Sequence, residues 1–124
     1  MDHESMLDLR AFVPAKDAAI SRQFYSDLGF RENWADEQIA EFQIGEFRFL
    51  LQSYYLKEYA ENCVMHLTVR SVDTWWRHVQ DTKLVDKYAG VTVKQPAMQP
   101  WGLLAMFLTD PAGVLWHIAE PPRE

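Results

Sequence analysis

Four histidines, a single cysteine and five tryptophans are the side chains in this sequence best suited to chemistry or ligand contact. An imidazole titrates near neutral pH, so it can move a proton or ligate a metal. His66 and His117 each stand in a short apolar run of strand character, so each ring is offered on one face of a strand or packed as part of its wall. His78 lies beside Arg77 on a helical stretch and reads as solvated surface, and His3 lies in the acidic, polar start Met1–Ser5. Cys63 stands alone, which excludes an intrachain disulfide and a CxxC metal site; beside Val64 and Met65 it reads as a buried, inert thiol. Trp75 and Trp76 are placed to pack a helix face, and Trp116 reads as core. Trp34 and Trp101 are different. Pro100-Trp101-Gly102 presents an indole from a loop, to stack on a flat or cationic ligand or to cover a dimer interface. Tyr54 and Tyr55 are placed to cap the same opening or to anchor a linker. The sequence carries no GxGxxG, P-loop, GxSxG or HExxH motif.

These side chains need elements to position them. Residues 9–13 predict a strand ended by Pro14. Asp17 predicts the N-cap of a helix running to Leu28, with Ile20, Phe24, Tyr25 and Leu28 on one face and Gly29 closing it. Strands are predicted over 30–35, 39–44 and 47–52, the second alternating Ile39, Glu41, Gln43 against Ala40, Phe42, Ile44. Residues 54–62 read as a linker able to hold a helical turn. The order then repeats: a strand over 65–69, a helix from Val72 with Asp73 near its start, and strands over 91–94, 103–108 and 114–119. Asp110-Pro111-Ala112-Gly113 has the chemistry of a turn. Arg10 stands seven residues before Asp17, as His66 stands seven before Asp73. The repeat predicts an α+β fold, a single domain over 1–124 made of two βαβββ modules, 7–53 and 64–120, joined by a linker over 54–63. Each module covers a sheet face that the other exposes.

Composition sets limits on function. With 12 basic and 18 acidic residues the net charge is −6, and no basic run occurs, so neither nucleic acid nor an anionic membrane is an expected partner. No apolar run approaches the length of a membrane span. An aromatic content of 14% is too high for a disordered chain. The polar N-terminus is unlike a signal peptide, which predicts a cytoplasmic protein.

Pro14-Ala15-Lys16-Asp17, Ser21-Arg22-Gln23-Phe24-Tyr25 and Leu28-Gly29-Phe30 resemble the vicinal oxygen chelate family, which holds glyoxalase I, bleomycin-resistance proteins and extradiol dioxygenases. The second half matches at His66-Leu67-Thr68-Val69-Arg70-Ser71-Val72-Asp73 and at Asp110-Pro111-Ala112-Gly113-Val114-Leu115-Trp116. The resemblance implies a cup-shaped, mixed, eight-stranded sheet, and in many members a homodimer. It also implies one divalent metal bound from the first and last strands of each module. Transferred to this sequence, those positions are Arg10, Phe49 or Leu50, His66 and His117. An arginine offers no lone pair and an apolar side chain offers nothing, so two of the four can ligate. Gln52 shares strand parity with Leu50 and would make a poor third ligand beside His66 and His117. No cofactor is therefore expected, with a divalent metal as the alternative. The expectation is a metal-independent small-molecule-binding protein similar to bleomycin-resistance members, its ligand held in the cup of a homodimer. The residues implied to line it are Arg10, Trp34, Leu50, Gln52, His66, Trp101 and His117, with no catalytic residue assigned. Arg10 either holds an anionic group of the ligand or pairs with an acid of the chain. Two alternatives stand beside this: a divalent-metal glyoxalase-like lyase or isomerase using His66 and His117, and a non-catalytic dimerisation or regulatory domain. A dioxygenase is disfavoured, since it needs two histidines and a carboxylate.

Overall fold

The computed structural model of the protein describes residues 1–122. The first half comprises β1 (Phe12–Pro14), α1 (Ala18–Leu28), β2 (Arg31–Ala35), β3 (Ile39–Ile44) and β4 (Phe47–Gln52). A short helix, α2 (Lys57–Asn62), leads to β5 (Val64–Thr68), α3 (Val72–Asp81), α4 (Leu84–Lys87), β6 (Thr92–Met98), β7 (Leu104–Thr109) and β8 (Leu115–Ala119). The eight strands form two four-stranded mixed sheets, ordered β1-β4-β3-β2 and β5-β8-β7-β6. In each sheet the first strand runs parallel to the last, because the intervening helix returns the chain in the same direction. This α+β fold has the strand–helix–strand–strand–strand order twice.

Local chemistry explains the helix ends. The Asp17 carboxylate accepts from the Ile20 N–H at 3.2 Å, and the Ser71 hydroxyl accepts from the Thr74 N–H at 3.2 Å. Gly29, at φ +121°, closes α1 by donating to the Ser26 and Tyr25 carbonyls. Phe24, Tyr25 and Leu28 turn inward, whereas Ile20, expected on the same face, is 43% exposed. It sits in the first turn of α1, where Ser21 takes the buried position instead.

Each sheet has a face toward the helices and an open face. Strand parity sends Phe42, Phe49 and Leu51 from the first sheet, and Met106, Leu108, Trp116 and Ile118 from the second, into one core with α1 and α3. Fully burying side chains of this size stabilises by about 1.5–3 kcal/mol each. Tyr25 is the centre of this core. Its ring meets those of Phe24, Phe49 and Trp116 at 5.1, 5.0 and 5.8 Å. Its hydroxyl donates to Asp110 at 2.6 Å and accepts from the Trp116 indole N–H at 3.0 Å. Asp110 also accepts from the Ala112 and Val114 N–H groups, so the 110–113 turn is tied to α1 of the other half. Burial, with the Asp110 charge second, pushes the Tyr25 hydroxyl well above its ordinary range, so it stays a donor.

Some boundaries differ from expectation. β1 begins at Phe12 rather than Leu9, which is 93% exposed. β6 runs on to Met98, and α4 starts after Lys83, whose φ of +54° makes a turn that the sequence pattern does not advertise. His78 is half-buried and its Nε2 lies 2.9 Å from the Asp27 carbonyl, so it links α3 to the end of α1 rather than standing in solvent. Cys63 is half-buried rather than buried, and that burial raises its thiol pKa.

Candidate functional site

The open face of the second sheet carries an aromatic and imidazole cluster. His66 and His117 are direct partners in the parallel β5–β8 pair, their ring centroids 5.7 Å apart. Phe107 lies opposite His117 on β7 and meets its ring edge-on at 5.0 Å. Trp101 stacks on the other side of His117, at 6.0 Å and 26°. The sequence builds this placement locally. Gly102 N–H donates to the Gln99 carbonyl at 2.9 Å, closing a four-residue turn with Pro100 second and Trp101 third, which fixes the direction of the indole. Burial, with His66 second, lowers the His117 pKa and favours the neutral ring, which keeps a nitrogen lone pair. His66 is exposed and His117 half-buried.

The open face of the first sheet carries a polar network centred on Glu41, which is 5% exposed. Arg10 donates to Glu41 and to Asp8. Asn33 donates to Glu41 and to Gln43, both at 2.8 Å. A β-bulge in β2 makes this possible. The register skips Asn33 between Glu32 and Trp34, so Glu32 faces α1 and pairs with Arg22, while Asn33 and Trp34 both join the Glu41 face. Leu50 lies opposite Glu41, and Gln52 follows two residues on.

The seven candidate residues thus fall into two groups. Arg10, Trp34, Leu50 and Gln52 share the first open face, and His66, Trp101 and His117 share the second. Among the described residues, no hydrogen bond, ion pair or ring contact joins the groups. Glu41, Asn33 and Phe107 were not singled out from the sequence, although the alternation in β3 already put Glu41 on the face opposite Phe42. The repeat also has a different register from the one expected. The helix caps are Asp17 and Ser71, an offset of 71 − 17 = 54, so the position matching His66 is Phe12 rather than Arg10. The pairing agrees: Phe12 is opposite Leu50 as His66 is opposite His117.

This donor set does not suit a catalytic divalent metal, which ordinarily takes three protein ligands and keeps one position open. Among the described residues no three His, Cys, Asp or Glu side chains come together. Gln52 lies on the other sheet from the two imidazoles, and Glu41 is engaged by Arg10 and Asn33.

The sequence profile of the Glyoxalase/Bleomycin resistance protein/Dioxygenase superfamily matches residues 9–118. The chain belongs to this superfamily. No curated protein sequence matches it significantly. Among solved superfamily folds, a bleomycin-binding protein complexed with bleomycin is similar at TM-score 0.80 and 19% identity, over 94% of this chain and 99% of that one. TnmS3, an antibiotic binding protein from Streptomyces sp. CB03234, aligns at TM-score 0.71 and 20% identity, over 96% and 99%. Lactoylglutathione lyase from Agrobacterium tumefaciens aligns at 0.68 and 16%, over 93% and 94%. At these identities the likeness is one of fold, so function must be argued from the side chains. No helix among the described residues is long and apolar enough to cross a membrane.

Proposed function

We propose that this superfamily member is a small-molecule-binding protein that works without a resident metal, its ligand held against the open sheet faces of a homodimer. The observation that carries this reading is the cluster of Trp101, Phe107, His66 and His117 on the second open face. It offers flat apolar contact beside two imidazoles, with no third metal-ligating side chain of the His, Cys, Asp or Glu type among the described residues. Such a surface stacks a planar ligand on the half-exposed Trp101 indole, while the imidazoles exchange hydrogen bonds with its polar groups. Glu41, Asn33 and Gln43 supply acceptors and donors on the other face. The bleomycin-binding and antibiotic-binding neighbours show that this fold serves binding proteins and the lyase that it also serves an enzyme, so the choice rests on the side chains. Arg10 does not serve as an anion clamp in this reading, because two carboxylates already engage it.

The test is a Trp-fluorescence screen of planar heteroaromatic compounds, paired with metal analysis of untagged protein by inductively coupled plasma mass spectrometry. Saturable quenching that Trp101→Ala abolishes, at trace metal content, is the expected result. Near one tightly held metal per chain, lost in His66→Ala and His117→Ala, would overturn the reading and favour a glyoxalase-like lyase or isomerase.

A further inference from the structure

β1 is three residues long and pairs only with Leu50–Gln52, so the first half of β4 has no strand on that side. β5 is the outer strand of the second sheet. Between the uncovered part of β4 and the edge of β5 lies a cleft of about 270 Å³. Its floor is aromatic: the rings of Phe49 and Trp116 meet edge to face with centroids 5.6 Å apart, with Phe30 edge-on against both at 5.4 and 5.5 Å. Met65 flanks this floor and is only half-buried, although its strand position turns it toward the core side. Phe47, at the rim, is 70% exposed.

The mouth of the cleft is basic. Among the described residues, Arg48 forms no hydrogen bond or ion pair and no acidic residue lines the cleft. The carboxylate on which the Arg48 charge acts, Asp8, is already hydrogen-bonded to Arg10. A guanidinium without a close counter-ion, beside an apolar slot in a chain of net charge −6, is a local reversal of sign. The floor of the cleft, though not its mouth, is separate from the proposed ligand face: Arg48 lies opposite Gln43 on the first open face. Phe49 and Trp116 belong to the helix-side faces of their sheets, and His66 is the one candidate residue common to both places.

We propose that this cleft is a second small-ligand site, taking a compact aromatic carboxylate. The ring packs on Phe49, Met65 and Trp116, and the carboxylate is held by the planar fork of Arg48. The volume lies just under that of drug-sized pockets, which limits the occupant to a single ring with a short acidic arm. One guanidinium, the only permanently charged group lining the cleft among the described residues, matches one carboxylate better than a phosphate dianion.

The probe is 4-fluorophenylacetate, followed by 19F NMR and by the 13C-methyl resonance of Met65, with 4-fluorophenylacetamide as the neutral comparator. The expected result is saturable binding that shifts the Met65 methyl and is unchanged in Trp101→Ala. Arg48→Gln weakens it about tenfold or more, the loss of a charge-assisted contact, while Arg48→Lys retains part of it. The amide binds weakly, and equally to the wild type and to Arg48→Gln. Equal binding of acid and amide, loss of binding in Trp101→Ala, or no saturation would each overturn the proposal. So would a Met65 shift that follows protein concentration and ignores the probe, since a second copy would then fill the cleft.

Discussion

Arg10 shows how much a single side chain's neighbours decide. A guanidinium on the open face of a sheet is a natural anion clamp, yet here it bridges Asp8 and the nearly buried Glu41. Glu41 is the residue with most at stake, because a buried carboxylate without a cation is costly. Arg10 is itself 30% exposed, which screens the pair and moderates its strength. Arg10→Ala is expected to destabilise the fold by about 1–2 kcal/mol, since Glu41 keeps Asn33 but loses its counter-charge. The double substitution Arg10→Ala with Glu41→Gln should recover part of that loss, because it removes the stranded charge. Urea unfolding of the wild type, both singles and the double measures this coupling. Simple additivity would mean that Arg10 does not stabilise through Glu41.

At the scale of elements, α1 and the β7–β8 turn are joined by one buried chain of hydrogen bonds, from the Trp116 indole through the Tyr25 hydroxyl to Asp110. Tyr25→Phe preserves the ring packing but leaves an indole N–H and a carboxylate oxygen without that partner. It should cost about 1–3 kcal/mol, read as a lower urea midpoint at unchanged m. A cost below about 0.5 kcal/mol would show that water replaces the hydroxyl. The strand and helix order was legible in the sequence because alternation, the Asp17 cap and the Gly29 stop are local signals. β3 and β4 fall at their expected limits, and the helical turn expected in the linker is α2. What was not legible is what depends on partners distant in sequence. Whether residues 9–11 join a ladder is decided by β4. The bulge that turns both Asn33 and Trp34 to the open face is a property of the β2–β3 pair rather than of either strand. The register of the repeat is hidden in the sequence for a related reason. Asp73 resembles a cap in sequence, but the Ser71 hydroxyl makes the capping bond, and the two-residue difference moves the match of His66 from Arg10 to Phe12.

At the scale of the whole molecule, the seven candidate residues fall on the open faces of two sheets, so in the proposed reading each face is a half-site with one wall for a planar ligand. The open faces also leave Trp34 and Trp101 about half exposed, at 47% and 51%. A homodimer that sets the first open face of one chain against the second open face of its partner would complete both sites at once and cover these indoles. That arrangement makes a prediction that the individual half-sites cannot. Glu41→Gln damages the first half-site and His117→Ala the second, so each homodimer should bind ligand poorly. Mixed by co-expression, the two chains form heterodimers in which one site carries both substitutions and the other carries neither. With random assortment half of the dimers are mixed, so about a quarter of the wild-type number of sites should return at wild-type affinity. Sites built within single chains would give no recovery, because every chain then carries one defect. Fluorescence titration of the co-expressed sample, with sedimentation to count the chains in each particle, separates these outcomes. A monomer by sedimentation, with full binding, would remove the dimer from the mechanism altogether.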